Sequence, residues 1–327
     1  MNYLITGAVG FIGYHTSKRI LENSITDKVY AIDNLNNFYD VNLKKERLND
    51  LKKFNNFKFF KFDLTKQKEI ESNYNHFSNI DSVIHLSAYA GIRQSIIDPW
   101  SYQDNNVNAT INILEMCKKL NIPNFILAST SSVYGDNKSL PTKETDNNSY
   151  PLSPYAASKK SAELLTYTYH YHFDINSAIL RFFTVYGPFG RPDMVIFKFI
   201  KSILDDQPIT VYGNGEQTRD FTYVIDVADA LISSAKIKGF DIFNIGGGNA
   251  IAVNNLVNII EDFLGKKAKI KYLKRDPSDI EHSLADINKI KSKLNWIPQY
   301  DIKKGVFETG EWFLNNQKFV NSIKLQD

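Results

Sequence analysis

The stretch Asn2-Tyr3-Leu4-Ile5-Thr6-Gly7-Ala8-Val9-Gly10-Phe11-Ile12-Gly13 decides the fold. The apolar run before Gly7 reads as a buried strand, and the residues from Gly10 to Asn23 read as a helix. Gly7, Gly10 and Gly13 sit at the junction. Glycines there permit a tight turn, let the backbone approach a pyrophosphate, and bring helix against strand. The helix N-terminus then presents unpaired N–H groups and the positive end of its dipole to an anion. A glycine-rich turn without a ligand is the plainer explanation. Position argues against it, because these glycines follow a strand and open a helix.

Working outward, Asp33 closes the next apolar run, Lys28–Asp33. A carboxylate at that point accepts hydrogen bonds from both adenosine ribose hydroxyls and repels a 2′-phosphate, so NAD is favoured over NADP. Asn34 and Asn37 are polar candidates for the same pocket, and Asp63 is a candidate for the adenine amino group. Further strands are expected at Phe57–Phe62, Ser82–Ser87, Asn124–Ser129 and Ser177–Phe182. Helical patterns fall between them at Lys66–Tyr74, Asp98–Leu120 and Tyr155–Phe173. Alternation of this kind implies an α/β fold, a Rossmann-like doubly wound parallel sheet with helices on both faces. From about Tyr186 the rhythm breaks at Gly187-Pro188, Gly190 and Pro192. The expected division is a nucleotide-binding part, residues 1–183, and a smaller mixed α/β substrate part, residues 184–327. A segment near 220–250 should rejoin the first part, with a strand near Phe240–Ile245 returning to the main sheet.

Composition sets outer bounds. The 327 residues are 43% apolar and 23% charged, with a net charge of +3. That is ordinary for a globular protein, and the absence of a dense basic block argues against a nucleic-acid partner. A lone Cys117 excludes an internal disulfide and fits a reducing compartment. No apolar run is long enough to span a membrane, and the N-terminus lacks the pattern of a signal peptide. A cytoplasmic location is expected. His170 and His172 diverge at i,i+2 on a helix, so no metal site is expected.

Chemistry concentrates around Tyr155-Ala156-Ala157-Ser158-Lys159. Tyr-x-x-x-Lys recurs at Tyr14, Tyr134 and Tyr300, but only Tyr155 opens a long helix downstream of a hydroxyl-rich strand end, Ser129-Thr130-Ser131-Ser132. Helical i,i+4 spacing puts Tyr155 and Lys159 on one face. A phenol of pKa about 10 is a poor base at neutral pH. A nearby ammonium and a positive nicotinamide are expected to lower it. Lys159 is placed to hold the nicotinamide ribose, and Thr130 to bond the reacting hydroxyl and relay its proton. Asn106 is a candidate organiser of local backbone, with helix packing equally open.

These residues and several longer segments resemble the extended short-chain dehydrogenase/reductase family that modifies nucleotide sugars. The segments include His85-Leu86-Ser87-Ala88 with Gly91-Ile92-Arg93, Pro151-Leu152-Ser153-Pro154-Tyr155, Arg219-Asp220-Phe221 and Pro277-Ser278-Asp279. Arg181-Phe182-Phe183-Thr184-Val185-Tyr186-Gly187-Pro188, leading into Arg191-Pro192-Asp193, is similar to the UDP-glucuronate 4-epimerases. The usual glycine before the downstream Asp is Ser278 here. The resemblance implies a resident NAD contacted by Gly7, Gly10, Phe11, Ile12, Gly13, Asp33, Leu64, Leu86, Ala88, Asn106 and Ser129, besides Tyr155 and Lys159. It implies that Arg93, Ser131, Ser132, Thr184, Arg191, Arg219 and Asp279 bind the UDP-sugar, with Arg191 toward the C6 carboxylate and Arg219 toward the diphosphate. It also implies a homodimer, through the helices around Asp98–Leu120 and Tyr155–Phe173, with burial inside one chain the plainer alternative for their apolar faces.

Residues 130–132 separate the reactions within that family. Dehydratases place Asp and Glu after the Thr, and decarboxylases carry Thr-Ser-Glu. Thr130-Ser131-Ser132 keeps hydride and proton transfer but lacks an elimination acid and base. Simple 4-epimerisation is therefore expected, of UDP-glucuronate first, and of a UDP-hexose or UDP-N-acetylhexosamine as the rival. A non-catalytic NAD-sensing protein is a different class, opposed by the intact Thr130, Tyr155 and Lys159.

Overall fold

The computed structural model describes residues 1–274 and 280–325. Apolar, β-rich segments form β1 (Asn2–Thr6), β2 (Lys28–Ile32), β3 (Phe57–Phe60), β4 (Ser82–His85), β5 (Asn124–Thr130) and β6 (Asn176–Phe182). Three-residue β7 (Thr184–Tyr186) follows, then β8 (Ile209–Tyr212), β9 (Thr218–Tyr223), β10 (Phe240–Ile245), β11 (Ala250–Ala252) and β12 (Ile270–Leu273). The main sheet has seven strands in the order β10-β6-β5-β4-β1-β2-β3. All its pairings are parallel. Parallel strands covered on both faces must be apolar on both faces. Leu4, Ile5, Val83, Ile84, Phe125, Ile126 and Leu127 are accordingly all fully buried.

Strand order reverses between β1 and β4, and an open α/β sheet binds ligands outside the carboxyl ends at that point. Gly7 lies there with φ 64°, and a Cβ on it would come within 2.8 Å of the Ser87 nitrogen. A Cβ on Gly13 would come within 2.2 Å of the Gly7 carbonyl oxygen. Both positions are thus closed to any side chain, and helix Phe11–Asn23 starts tight against the sheet.

The expected Asp98–Leu120 helix runs continuously from Pro99 to Leu120, as Pro99–Tyr102, a π-helical turn Gln103–Asn108, and Ala109–Leu120, and a separate short helix, Ile92–Ile97, precedes it. π-turns disturb the ladder locally and re-aim side chains, often at functional sites. Here the turn sends Asn106 back toward the loop after β4. Helix Val41–Leu51, between β2 and β3, was not anticipated. Helix Pro154–Phe173 begins with Pro154 in its first turn and the Ser153 side chain accepting from the Ala156 N–H at 3.2 Å.

Beyond β6 the chain builds smaller sheets, β11-β9-β7 and β12-β8. Helices Val195–Leu204, Val253–Leu264 and Ile302–Asn315 pack on them around Phe197, Ile200, Leu256, Ile260 and Phe313. Strand β10 joins the main sheet beside β6, so the chain crosses between the two packed regions more than once.

Candidate active site

A cavity of about 880 Å³ opens from the switch point toward the second packed region. Its walls hold Gly7, Gly10, Phe11, Ile12, Gly13 and Asp33 at one end, and Thr184, Arg191 and Arg93 at the other. Leu86, Ala88, Ser129, Thr130, Ser131, Ser132, Tyr155 and Lys159 lie between. Residues distant in sequence are brought together here by the ends of β1, β4, β5 and β7 and by the start of helix Pro154–Phe173.

The dinucleotide end has a donor set suited to an anion. Gly10 caps helix Phe11–Asn23 with no side-chain hydrogen bond, so first-turn N–H groups face the cavity. The Asp33 carboxylate accepts from the Val9 N–H at 3.3 Å and the Leu35 N–H at 2.8 Å. Those two bonds fix its orientation and leave lone pairs for a diol. Lys159 is only 3% exposed, and among the described residues no group accepts a hydrogen bond from its Nζ. Burial draws its pKa down to about 8, while Glu163 one turn on pulls the other way. A buried ammonium without an acceptor, aimed into a cavity, fits a hydroxyl-bearing ligand. These features together fit NAD.

The Tyr155 phenol differs from expectation. Burial raises its pKa, and the groups pulling it down are the Thr130 hydroxyl and the Arg191 guanidinium, not Lys159. Burial outweighs the attraction of these groups, so the bare protein holds the phenol protonated. Tyr102 packs edge-on against the Tyr155 ring, with centroids 6.1 Å apart. Thr130 Oγ1 donates to Ser132 Oγ at 3.1 Å and accepts from the Ser132 N–H at 3.1 Å, so the hydroxyl cluster is internally ordered. Ser129 donates to Glu163 at 2.6 Å from beneath.

At the sugar end, Arg191 donates through Nε and Nη2 to Asp193, at 3.0 and 2.5 Å. That pairing leaves Nη1 for an incoming carboxylate. Arg93 stacks over Tyr212, with 4.5 Å from guanidinium carbon to ring centroid.

Several expected residues lie elsewhere. Asn106 is fully buried and does not reach the cavity wall. It accepts from the Tyr89 N–H at 2.7 Å, and donates to the Tyr89 carbonyl at 3.0 Å and Ser158 Oγ at 2.9 Å. It joins the loop after β4 to the Tyr155 helix, a backbone-organising position. Asn34 turns away to donate to Asp63 at 3.3 Å, and Asp63 also caps the Thr65 N–H at 2.9 Å. Asn37 is exposed, and Leu64 is buried with Phe62 and Ile70 under the sheet. Arg219 is not on the cavity wall, and its Nη1 donates to the Thr218 and Glu281 carbonyls. Alternation along β9 gives the inner face to Asp220, which accepts from the Gly247 and Ala285 N–H groups. Burial pushes the Asp220 carboxyl up to about 6. Asp279, with Ser278, lies outside the described residues.

The structure adds Asn36, Phe38, Lys44, Tyr102, Asp193 and Lys198 to the wall. Lys44 donates to Asn36 Oδ1 at 2.8 Å, and burial lowers its pKa. The pattern Asn36 to Lys44, one helical start after Asp33, was the available signal.

Comparison with known proteins agrees with this geometry. Residues 3–246 match the description of the NAD dependent epimerase/dehydratase family. A UDP-glucuronate 4-epimerase from Thermodesulfobacterium geofontis is 46% identical, covering 99% of each chain. The crystal structure of a Bacillus cereus UDP-glucuronic acid 4-epimerase, in complex with UDP-glucuronic acid and NAD, superimposes with TM-score 0.89 at 35% identity, covering 96% of this chain and 99% of that one. A UDP-N-acetylglucosamine 4-epimerase from Methanobrevibacter ruminantium superimposes with TM-score 0.87 at 36% identity, covering 96% and 98%. Fold, cavity and sequence therefore agree that the chain belongs to the NAD dependent epimerase/dehydratase family.

Proposed function

We propose that this enzyme interconverts UDP-glucuronate and UDP-galacturonate by inverting C4, with NAD held in the cavity throughout. The observation that carries the reading is a single cavity in which Tyr155, Thr130 and Arg191 meet with no carboxylate at positions 130–132. Gly7, Gly10, Phe11, Ile12, Gly13 and Asp33 would hold the dinucleotide, and Lys159 its nicotinamide ribose. Bound NAD would supply the hydride acceptor and donor for C4 and a positive charge beside the phenol. Tyr155 takes the O4 proton and later gives it back, with Thr130 bonding the same oxygen. Between those events the 4-keto sugar must turn over within the cavity.

A 4-keto uronate is a β-keto acid, prone to lose carbon dioxide. Ser131, Ser132 and Thr184 offer hydroxyls, and Arg191 offers Nη1, to hold the carboxylate so that the C5–C6 bond stays out of line with the C4 carbonyl π orbitals, the alignment that favours loss. Asp193 is engaged by Arg191 and is not available as an elimination base. Purified enzyme with UDP-glucuronate should yield UDP-galacturonate and no UDP-pentose, by NMR and mass spectrometry. A pentose product, or turnover of UDP-glucose or UDP-N-acetylglucosamine alone, overturns the substrate assignment.

The same reading makes residues 184–327 mainly the sugar-nucleotide part and the enzyme a cytoplasmic homodimer. Leu164, Tyr167 and Tyr171 expose an apolar stripe at i, i+3 and i+7 on helix Pro154–Phe173, and Trp100 is exposed on helix Pro99–Tyr102, which packs against it. Cys117 is buried and unpaired, and no helix among the described residues is long and apolar enough to cross a membrane.

A further inference from the structure

Arg47 is wholly buried, yet no carboxylate pairs with it among the described residues. An uncompensated buried cation is costly, so its retention calls for a reason. Its donors tie three segments together. Nη1 donates to the Val9 carbonyl at 3.0 Å, inside the glycine turn, and to the Tyr39 hydroxyl at 2.6 Å. Nη2 donates to the Phe189 carbonyl, two residues before Arg191. His15 adds a second tie to the same turn, its Nε2 lying 2.8 Å from the Pro188 carbonyl oxygen. Phe189 itself has φ 53° and packs between Tyr14 and Trp312. The segment that carries Arg191 is thus fastened to the nucleotide-binding elements by two buried side chains, neither of which lines the cavity.

We propose that Arg47 and His15 are positioning residues for Arg191, and through it for recognition of an acidic sugar. The proposal rests on the UDP-hexuronate reading above. Neither residue touches the reacting atoms. They fix where the Arg191 guanidinium stands relative to the glycine turn, and so the distance between the sugar carboxylate and the dinucleotide. A neutral sugar has no carboxylate to place and is indifferent to that fixing.

The test compares dissociation constants of UDP-glucuronate and UDP-glucose on NAD-loaded protein, by calorimetry. A Tyr155→Phe background prevents turnover during the titration. Arg47→Met should weaken UDP-glucuronate roughly tenfold, since small misplacement of a charged anchor has large effects, and leave UDP-glucose within about twofold. His15→Phe keeps the ring packing and loses only the bond to Pro188. It should weaken UDP-glucuronate about threefold, with UDP-glucose again unmoved. Equal weakening of both ligands shows a general brace, and no weakening shows no role; either result overturns the proposal. If Arg47→Met does not fold, His15→Phe decides by the same criterion. A background protein that binds both sugars equally overturns the substrate reading itself, which separates that failure from this one.

Discussion

Replacing Glu163 with Gln probes the buried frame beneath the catalytic groups. Glu163 and Arg181 pair through two bonds, 2.9 Å from Nε and 2.7 Å from Nη2, with side chains only 2% and 1% exposed. Ser129 donates to the same carboxylate, and Arg181 Nη1 donates to the Tyr134 hydroxyl at 2.9 Å and the Glu144 carbonyl at 3.3 Å. The pair therefore touches the Tyr155 helix, the end of β5 and the turn bearing Ser131 and Ser132. Removing one charge of a buried pair costs about 3–5 kcal/mol, because the other is left uncompensated. Tyr134 and Glu144 still accept from Arg181, which favours the lower end, about 3 kcal/mol. An unfolding entropy of roughly 2.1 cal/mol/K per residue converts this to a fall in Tm of about 4–5 °C. Differential scanning calorimetry at pH 7 measures it. The pair lowers the Glu163 pKa, so its contribution stands above the ordinary carboxylate range and fades as pH falls through the lowered value. Variant and wild type should therefore converge in acid. Glu163→Gln/Arg181→Met removes both charges and should recover most of the loss. A Tm within about 1 °C of wild type for the single variant would refute the reasoning.

Lys159 lies on the other side of the stability balance. Its pKa falls from 10.5 to about 8, so below pH 8 the folded state carries the cost of a buried charge. That cost is relieved as pH rises from 8 to 10.5, where the folded state releases its proton first. Lys159→Met should be more stable than wild type at pH 7, by roughly 3 kcal/mol at most, and inactive. In wild type, kcat/KM should fall above about pH 8 as the ammonium is lost, a limb that Lys159→Arg shifts upward. Tyr155→Phe should cut kcat by ~10²–10⁴-fold with UDP-sugar binding retained, read by steady-state kinetics and calorimetry. Asp33→Asn should weaken NAD by roughly tenfold and narrow its preference over NADP, read by fluorescence titration.

The sheet was legible because buried parallel strands impose a local signature: short, continuous apolar runs broken by turns. The Tyr155 helix was legible from Pro154 and its spacing to Lys159. Side-chain direction was not legible where the backbone leaves regular geometry. Leu35 takes a left-handed conformation, φ 54°, so alternation beyond β2 does not carry through it. Asn36 therefore faces the cavity, while Asn34 turns to Asp63 and Asn37 to solvent. Asn106 sits in a π-turn, which no 3.6-residue period anticipates. Position relative to Tyr155 suggested that Lys159 would tune the phenol. The fold instead brings in Arg191 from a segment distant in sequence, and lets burial dominate. Nothing in the sequence marks Arg47 or His15, since their acceptors lie on a loop far along the chain.

The central claim is that the hydrogen on C4 leaves and returns as hydride without meeting solvent, while Tyr155 handles only the proton on oxygen. Running the UDP-glucuronate reaction to equilibrium in heavy water and reading the product by NMR tests it directly. UDP-galacturonate carrying protium at both C4 and C5 is the expected result. Deuterium at C4 would mean exchange with water, and deuterium at C5 would mean carbon-acid chemistry; either would contradict the account.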